Sequence, residues 1–441
     1  MVISLPGVVR AEIVSEKKTD NTTEITMSAL DAVKLAGELI DNGNLDSAEQ
    51  ILTKMPNLGG GPLEVERWFL LGRIAAFRND FDTAIEIYRT ILDAQPSLAR
   101  IRLELAICYM KTEQWYRADY QLRLAMAGHD LPDNVRQMMN YYRYIIRQNK
   151  NWNVWFNFGA AQDNNVNNAT GGTERVYGWL FRDLTEPESA TGYNFQLGGN
   201  FEFRLSDNWR WKSEGGIYTN IYNKHKYDDI YLYASTGPRY IWSTGDVWAA
   251  AVASRRWYGW DAYNWSAGAR LGINYDFTRR LSGGLSVQYT NNQYDYYGEY
   301  LDGDTYSVLA HLFYPITSNM YAILRGGIVR EGTVSETYSY WQPNVSVGFG
   351  AEMPYGFNIY IEPMFYWQNY DGEQFTIQND WPTFMTERDF IQRYSVSLSN
   401  NKLDIFGFVP VLVFSYTRRD SNMWQREYDR WAIEFTMQQR F

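Results

Sequence analysis

The chain has 441 residues, with 41 basic and 51 acidic side chains and a net charge of −10, a balance that argues against nucleic acid as its main partner. With 45% hydrophobic residues it is not a disordered chain. The single Cys108 excludes an internal disulfide framework, and the three histidines, His129, His225 and His311, leave little for a zinc site. No apolar run nears the roughly 20 residues of a membrane-spanning helix.

Composition divides the chain near residue 150. Of the 17 Trp only Trp68 and Trp115 precede it. Residues 1–23 read as a flexible N-terminal extension. Met1–Arg10 is too short for a secretory leader, so the chain is either cytosolic or mature after leader removal; the strand half favours removal.

Residues 24–150 read as a helical domain at period 3.6. The predicted helices are 24–41, 45–55, 63–78, 81–94, 97–111, 115–127 and 133–149. They repeat. Gly72 and Ala106, Phe81 and Trp115, Ala84 and Ala118, and Tyr88 and Leu122 share an offset of 34. Trp68, Leu71, Gly72, Ala84, Tyr88 and Pro96 resemble the tetratricopeptide pattern. Small Gly72 and Ala84 let paired helices approach, Trp68 and Tyr88 are expected to fill the groove beside them, and Pro96 ends the second helix. Stacked repeats form a solenoid with a concave face for an extended chain or helix.

From Trp152 the period becomes 2. In 152–161 Trp152, Val154, Phe156 and Phe158 alternate with Asn153, Trp155 and Asn157. Fourteen such segments follow one another: 152–161, 192–205, 209–220, 229–242, 246–257, 263–276, 280–290, 304–314, 319–330, 340–352, 357–367, 388–400, 408–418 and 427–441. Most exceed the about 5–6 residues of a soluble strand and suit the about 9–11 of a tilted membrane strand. Short turns (206–208, 243–245, 277–279) alternate with longer loops (162–191, 291–303, 368–387), as in outer-membrane barrels. An even strand count returns both barrel ends to the periplasmic side, so the solenoid hangs in the periplasm. The predicted fold is therefore a tetratricopeptide-like α-solenoid followed by a 14-stranded transmembrane antiparallel β-barrel over 151–441.

Alternation turns Glu202, Arg204, Glu214, Arg270, Arg325, Glu352, Glu362, Glu434 and Arg440 toward the lumen. Their mixed signs suit a polar substrate rather than a simple ion-selective pore. Trp431, Ile433 and Phe435 lead to the terminal Phe441, a pattern that resembles the signal read by the barrel-assembly machinery. His225 and His311 belong to no Gly-x-Ser-x-Gly elbow, so no catalytic residue is assigned and no enzyme is expected. Asp163–Asn168 and Asp302-Gly303-Asp304 lack the spacing of a calcium loop; no metal or cofactor is expected.

A helical repeat domain joined to such a barrel resembles the surface lipoprotein assembly modulator family of Gram-negative bacteria. The segment at the start of the barrel, Asp163-x-Asn165-Val166-Asn167-x-Ala169 after Gly159, is similar to that family's motif. The absence of a leader departs from a full precursor. The resemblance implies an outer-membrane translocator for client proteins, either surface lipoproteins or soluble haem- or metal-acquisition proteins. It implies that the solenoid engages client or periplasmic chaperones and that the barrel is conduit or lateral gate. The other reading is an exopolysaccharide export porin with a repeat scaffold.

Overall fold

The computed structural model describes residues 10–11, 27–128, 132–405 and 408–439. The expected N-terminal extension lies outside these residues apart from Arg10-Ala11, as do His129, Arg440 and Phe441. The chain forms two compact units, Met1–Ala125 and Met126–Phe441.

The first unit is three antiparallel helical hairpins: α1 (Ala29–Asp41) with α2 (Leu45–Lys54), α3 (Pro62–Phe77) with α4 (Phe81–Ala94), and α5 (Ala99–Lys111) with α6 (Trp115–Ala125). Local chemistry sets their ends. Ser28 Oγ accepts the Asp31 N–H at the start of α1, and Asp80 caps α4 through the Thr83 N–H. Pro62 opens α3, where its missing N–H costs nothing. Each hairpin turns on one residue with positive φ, Gly43 (80°), Asn79 (63°) and Glu113 (59°). These sit at the repeat spacing and mark the same turn three times.

The central hairpin closes on Gly72. A Cβ there would lie 2.5 Å from Tyr88 Cε1, so any side chain would push the helices apart. Tyr88, Ala84, Ala106 and Ala118 are fully buried. The expectation for Trp68 is corrected: it is 42% exposed and donates its indole N–H to Glu64 at 2.8 Å. Its neighbour Phe69 turns inward and meets the Tyr88 ring at 6.1 Å between centroids. One residue around a helix is 100°, enough to exchange the two rings. Pro96 follows α4, and its carbonyl accepts two N–H groups of buried Arg102, whose Nη1 donates to Gln121 at 2.6 Å.

The second unit is a closed antiparallel barrel of β1 (Trp152–Asp163), β2 (Ala190–Arg204), β3 (Trp209–Tyr222), β4 (Asp229–Trp242), β5 (Gly245–Tyr258), β6 (Asp261–Asp276), β7 (Ser282–Tyr294), β8 (Gly303–Thr317), β9 (Met320–Thr333), β10 (Tyr340–Glu352), β11 (Phe357–Gln378), β12 (Trp381–Asn400), β13 (Phe408–Ser421) and β14 (Tyr428–Gln439), with β14 pairing back onto β1. Each strand is flanked by its sequence neighbours, so closure leaves only one long-range pairing to make. Rows of exposed apolar side chains, such as Tyr193, Phe195, Leu197, Phe201 and Phe203 on β2, alternate with the polar row. In water this surface would be an aggregation hazard; at bilayer depth it is the lipid face.

Two features depart from the sequence reading. Residues 368–387 are not a loop: β11 and β12 run on past a bulge between Asn369 and Glu373 to a two-residue turn, Asn379-Asp380, both at positive φ. Gly259-Trp260 is a second such turn, so this rim mixes tight turns with long connections. The other departure is α7 (Asp133–Asn149), predicted as the last solenoid helix, which groups with the barrel. Arg143 Nη2 reaches Asp276 at 2.6 Å, Arg147 reaches the same carboxylate and the Ser243 carbonyl, and Arg210 holds the Gln148 carbonyl at 3.0 Å. The short-turn rim therefore lies on the side from which the chain enters.

Candidate functional site

The candidate site is the barrel interior and the seam that closes it. At the outer end of the seam β1 runs into the Asp-x-Asn-Val-Asn segment, which works by satisfying backbone. Asp163 Oδ1 accepts the Asn165 N–H at 2.9 Å, an Asx turn that ends the strand. Asp163 Oδ2 faces β14 and accepts Arg430 Nε at 2.8 Å. Asn165 Oδ1 accepts the Ala169 N–H at 2.8 Å, while its Nδ2 donates to the Ala169 and Asp429 carbonyls. Asn167 bridges to the returning chain at Glu186 and Glu188, and the Val166 N–H donates to the Glu188 carbonyl. Asn164 and Trp431 exchange two hydrogen bonds across the seam, and Thr170 reaches the Gln425 carbonyl. Asp163 and Asn165 are buried. This segment is a clamp on the first and last strands.

The mid-barrel cavity measures about 480 Å³ and is lined by Arg270, Arg325, Glu362 and His311 among others. Arg325 pairs with Glu362, whose carboxylate also accepts Ser346 Oγ at 2.8 Å and Tyr360 OH at 3.1 Å. The Arg270 guanidinium lies 5.1 Å from the Trp248 ring centroid. His311 stands opposite Arg325 in the β8–β9 ladder.

Toward the short-turn rim Glu202 is buried. Both its oxygens accept Arg239 Nη1 at 2.9 Å, and Arg239 also holds Asp246 at 3.0 Å. Sequence reading named Glu202 but not Arg239 or Asp246, which alternation alone places on the same face. Arg204 is at the rim, paired with exposed Asp207 at 2.7 Å. Glu434 accepts Asn194 Nδ2 at 3.3 Å near the seam. Of the nine expected lumen residues, Arg270, Arg325 and Glu362 line the mid-barrel cavity, Glu202 and Arg204 lie toward the short-turn rim and Glu434 lies by the seam, so these six form three groups, not one cluster.

The outer loops hold a further knot. Glu188 accepts from Lys226, Lys224 and Tyr227, and these bonds bring its carboxyl down to about 2. His225 Nδ1 lies 2.9 Å from Asp228, whose oxygens also accept the Tyr222 N–H and Trp260 Nε1 at 2.6 Å. That carboxylate is committed to holding the loop. Asp302 likewise accepts the Tyr294 N–H at 2.7 Å, and Asp304 accepts Tyr289 OH at 2.9 Å.

A helical-hairpin unit ahead of a fourteen-stranded barrel with a lipid-facing apolar belt defines an outer-membrane barrel protein with a periplasmic helical part. The whole barrel, residues 152–441, matches the family model described as surface lipoprotein assembly modifier. The chain belongs to that family. Its relatives include the surface lipoprotein assembly modifier of Pasteurella multocida, 23% identical over 83% of this chain and 75% of that protein. The Moraxella catarrhalis protein of the same name is 21% identical over 95% of this chain and 84% of its own length. Among solved structures, the outer membrane channel DcaP of Acinetobacter baumannii covers 65% of this chain and 96% of its own, at 10% identity and a TM-score of 0.37. The family description names an assembly role and no chemical reaction.

Proposed function

We propose that the chain promotes transfer of client proteins, surface lipoproteins first among them, across the outer membrane. One observation carries this reading: the match to the surface lipoprotein assembly modifier family runs over the entire barrel. The first unit is the tetratricopeptide-like module that engages client or a periplasmic chaperone and raises its local concentration at the barrel mouth. The barrel is the conduit, and its wall can part at the β14–β1 seam. Soluble haem- or metal-acquisition proteins are a second client class. Trp431, Ile433, Phe435 and the terminal Phe441 serve as the signal for the assembly machinery. A lumen lined by Arg270, Arg325, Glu362 and Glu434 offers charged groups of both signs to a passing polypeptide. Free energy comes from client folding or binding on the far side.

The test is co-expression with an epitope-tagged surface lipoprotein in a Gram-negative host that does not display it. Protease accessibility on intact cells should rise with the full chain. Unchanged accessibility, with the barrel assembled, would refute the reading.

A further inference from the structure

The mid-barrel cavity contains a cation that no acid of the protein neutralises. Three charged side chains line it, Arg270, Arg325 and Glu362. Glu362 is committed: it pairs with Arg325 and accepts Ser346 Oγ and Tyr360 OH. Arg270 has no carboxylate and no hydrogen-bond acceptor among the described residues; its contact is the Trp248 ring, 5.1 Å from guanidinium to centroid. Other arginines of the lumen face are matched. Arg239 shares Glu202 and Asp246, Arg256 takes Asp229, and Arg419 takes Glu387 and Asp389. A guanidinium laid against an indole is fixed in direction and keeps its edge N–H groups for a planar acceptor.

Glycines make the hollow beside it. Gly272, Gly284 and Gly327, on β6, β7 and β9, leave the wall without side chains there. The Trp248 ring covers Gly272, while Asn274 Oδ1 and the His311 ring lean over Gly284, 2.5 and 2.7 Å from where a Cβ would stand. In register, Arg270 lies one pleat outward of Gly272 and Leu309, and Arg325 lies one pleat inward of them. Between the two guanidinium groups the lining is apolar, with Trp248, Leu309 and Met364. The cavity of about 480 Å³ is within the range of about 300–1,000 Å³ that holds a small organic ligand.

The charges select among such ligands. The lining leaves one positive charge in excess. Arg393, opposite Met364 in the β11–β12 ladder, has no carboxylate partner either among the described residues and raises the potential at the cavity's edge. A single carboxylate matches the Arg270 fork with two parallel hydrogen bonds. A phosphate dianion would bring a second charge toward Glu362 and leave the apolar lining unfilled.

We propose that the mid-barrel cavity is a binding site for an organic monocarboxylate, its carboxylate on Arg270 and its apolar body against Trp248, Leu309 and Met364. A free acid and an acidic side chain of a polypeptide in the lumen carry the same group; only the second source rests on the reading of the barrel as a client translocator.

The purified full chain in detergent is titrated with para-fluorobenzoate and followed by fluorine NMR line width. Broadening should saturate. The amide of the same shape, para-fluorobenzamide, should bind at least tenfold more weakly, and inorganic phosphate at equal concentration should not displace the benzoate. Arg270→Gln should weaken benzoate binding at least tenfold and leave the amide unchanged. Arg418→Ala removes an exposed cation near the outer end of β13 and should change neither. Should R270Q not assemble, the wild-type chain decides: photoactivated benzoylbenzoate should label Trp248, Leu309 or Met364, and para-fluorobenzoate should suppress the labelling. The proposal falls if benzoate binding does not saturate, if the amide binds equally, if phosphate competes equally, if R270Q binds as wild type does, or if the photolabel attaches elsewhere. Lipoprotein display in cells separates the two sources. A loss of at least threefold in R270Q, with the barrel assembled, assigns the carboxylate to the passing polypeptide; unchanged display with benzoate binding lost assigns it to a free acid. A wild-type chain that binds benzoate and displays no lipoprotein would refute the proposed function and leave the carboxylate site standing.

Discussion

Arg430 Nε donates to Asp163 Oδ2 at 2.8 Å, joining the last strand of the barrel to the first across 267 residues of sequence. Asp163 is buried, and the Asn165 N–H takes its other oxygen. Removing the cation leaves a buried carboxylate half satisfied, which is the costly way to break a pair. Arg430→Ala should therefore destabilise barrel closure by about 3 kcal/mol. The exposed Arg204–Asp207 pair at the rim is the control: Arg204→Ala should change stability by less than about 1 kcal/mol. The temperature at which the folded band disappears in heat-modifiable gel mobility measures both.

The helical unit has its own weak point. Gly72→Ala places a methyl into the Tyr88 ring, and overpacking of this kind costs about 1–3 kcal/mol. The expected result is a lower melting temperature for the helical signal at 222 nm with the barrel transition unmoved. Tyr88→Phe should be neutral or stabilising, since the buried Tyr88 hydroxyl has no hydrogen-bond partner among the described residues.

Cys108 reports on the same unit through pH. Burial pushes its thiol up to about 12, with Glu104 adding to the rise. The unfolded thiol ionises near 8.5. Between those values the unfolded state binds fewer protons, so stability falls as pH rises and is unaffected below about 8.5. At pH 10.5 the helical unit should be about 3 kcal/mol less stable than at pH 7 from this group alone. Urea melts at the two pH values measure the loss, and Cys108→Ala should remove that part of it. Maleimide at pH 8 should label the unfolded chain and leave the native chain untouched.

Helix α7 changes where the chain can be cut. A barrel beginning at residue 132 keeps Arg143 and Arg147 on Asp276, and it should assemble as the full chain does. Cutting at residue 150 strips Asp276 of both partners and Arg210 of Gln148. In the full chain Asp276→Ala should release α7, read as faster hydrogen exchange over 133–149. Unchanged exchange would mean that Met139 and Ile146, both fully buried, hold the helix without the ion pairs.

On the outside of the wall, Phe435→Lys places a charge on the lipid face near the middle of β14, and should cost about 2–4 kcal/mol of barrel stability. Glu434→Gln beside it faces Asn194 and should be tolerated. Comparing folded fractions in lipid vesicles across urea distinguishes the two faces.

Strand number and facing were legible because a pleated strand writes its environment into the sequence at period 2. The same period placed Glu202 and Glu362 on the polar face. It carries no information about what lies across the barrel, so Arg430 opposite Asp163 and Arg239 between Glu202 and Asp246 were not legible as pairs. Helical period has a similar limit. It showed that α7 has a buried stripe without showing that barrel turns bury it, and it could not separate Trp68 from Phe69 at the stripe's edge. Residues 368–387 read as a loop because Gly372 and the polar Asp371–Gln374 stretch interrupt the alternation where the bulge sits. The Asn379-Asp380 pair was the signal that a hairpin turned there.

The hairpin of β11 and β12 has a consequence outside the membrane. Its strands are 22 and 20 residues long and carry exposed Phe375, Trp381 and Phe384 past the bulge, on the rim opposite α7. The Tyr177 ring lies 5.6 Å from that of Trp381, so the small hairpin of Thr173–Val176 and Leu180–Asp183 shares the same crown. An antibody or a bacteriophage approaching the cell from outside finds these exposed rings on the outer rim. Immune pressure would fall on these aromatic tips, while the buried clamp at Asp163 and Asn165 stays out of reach.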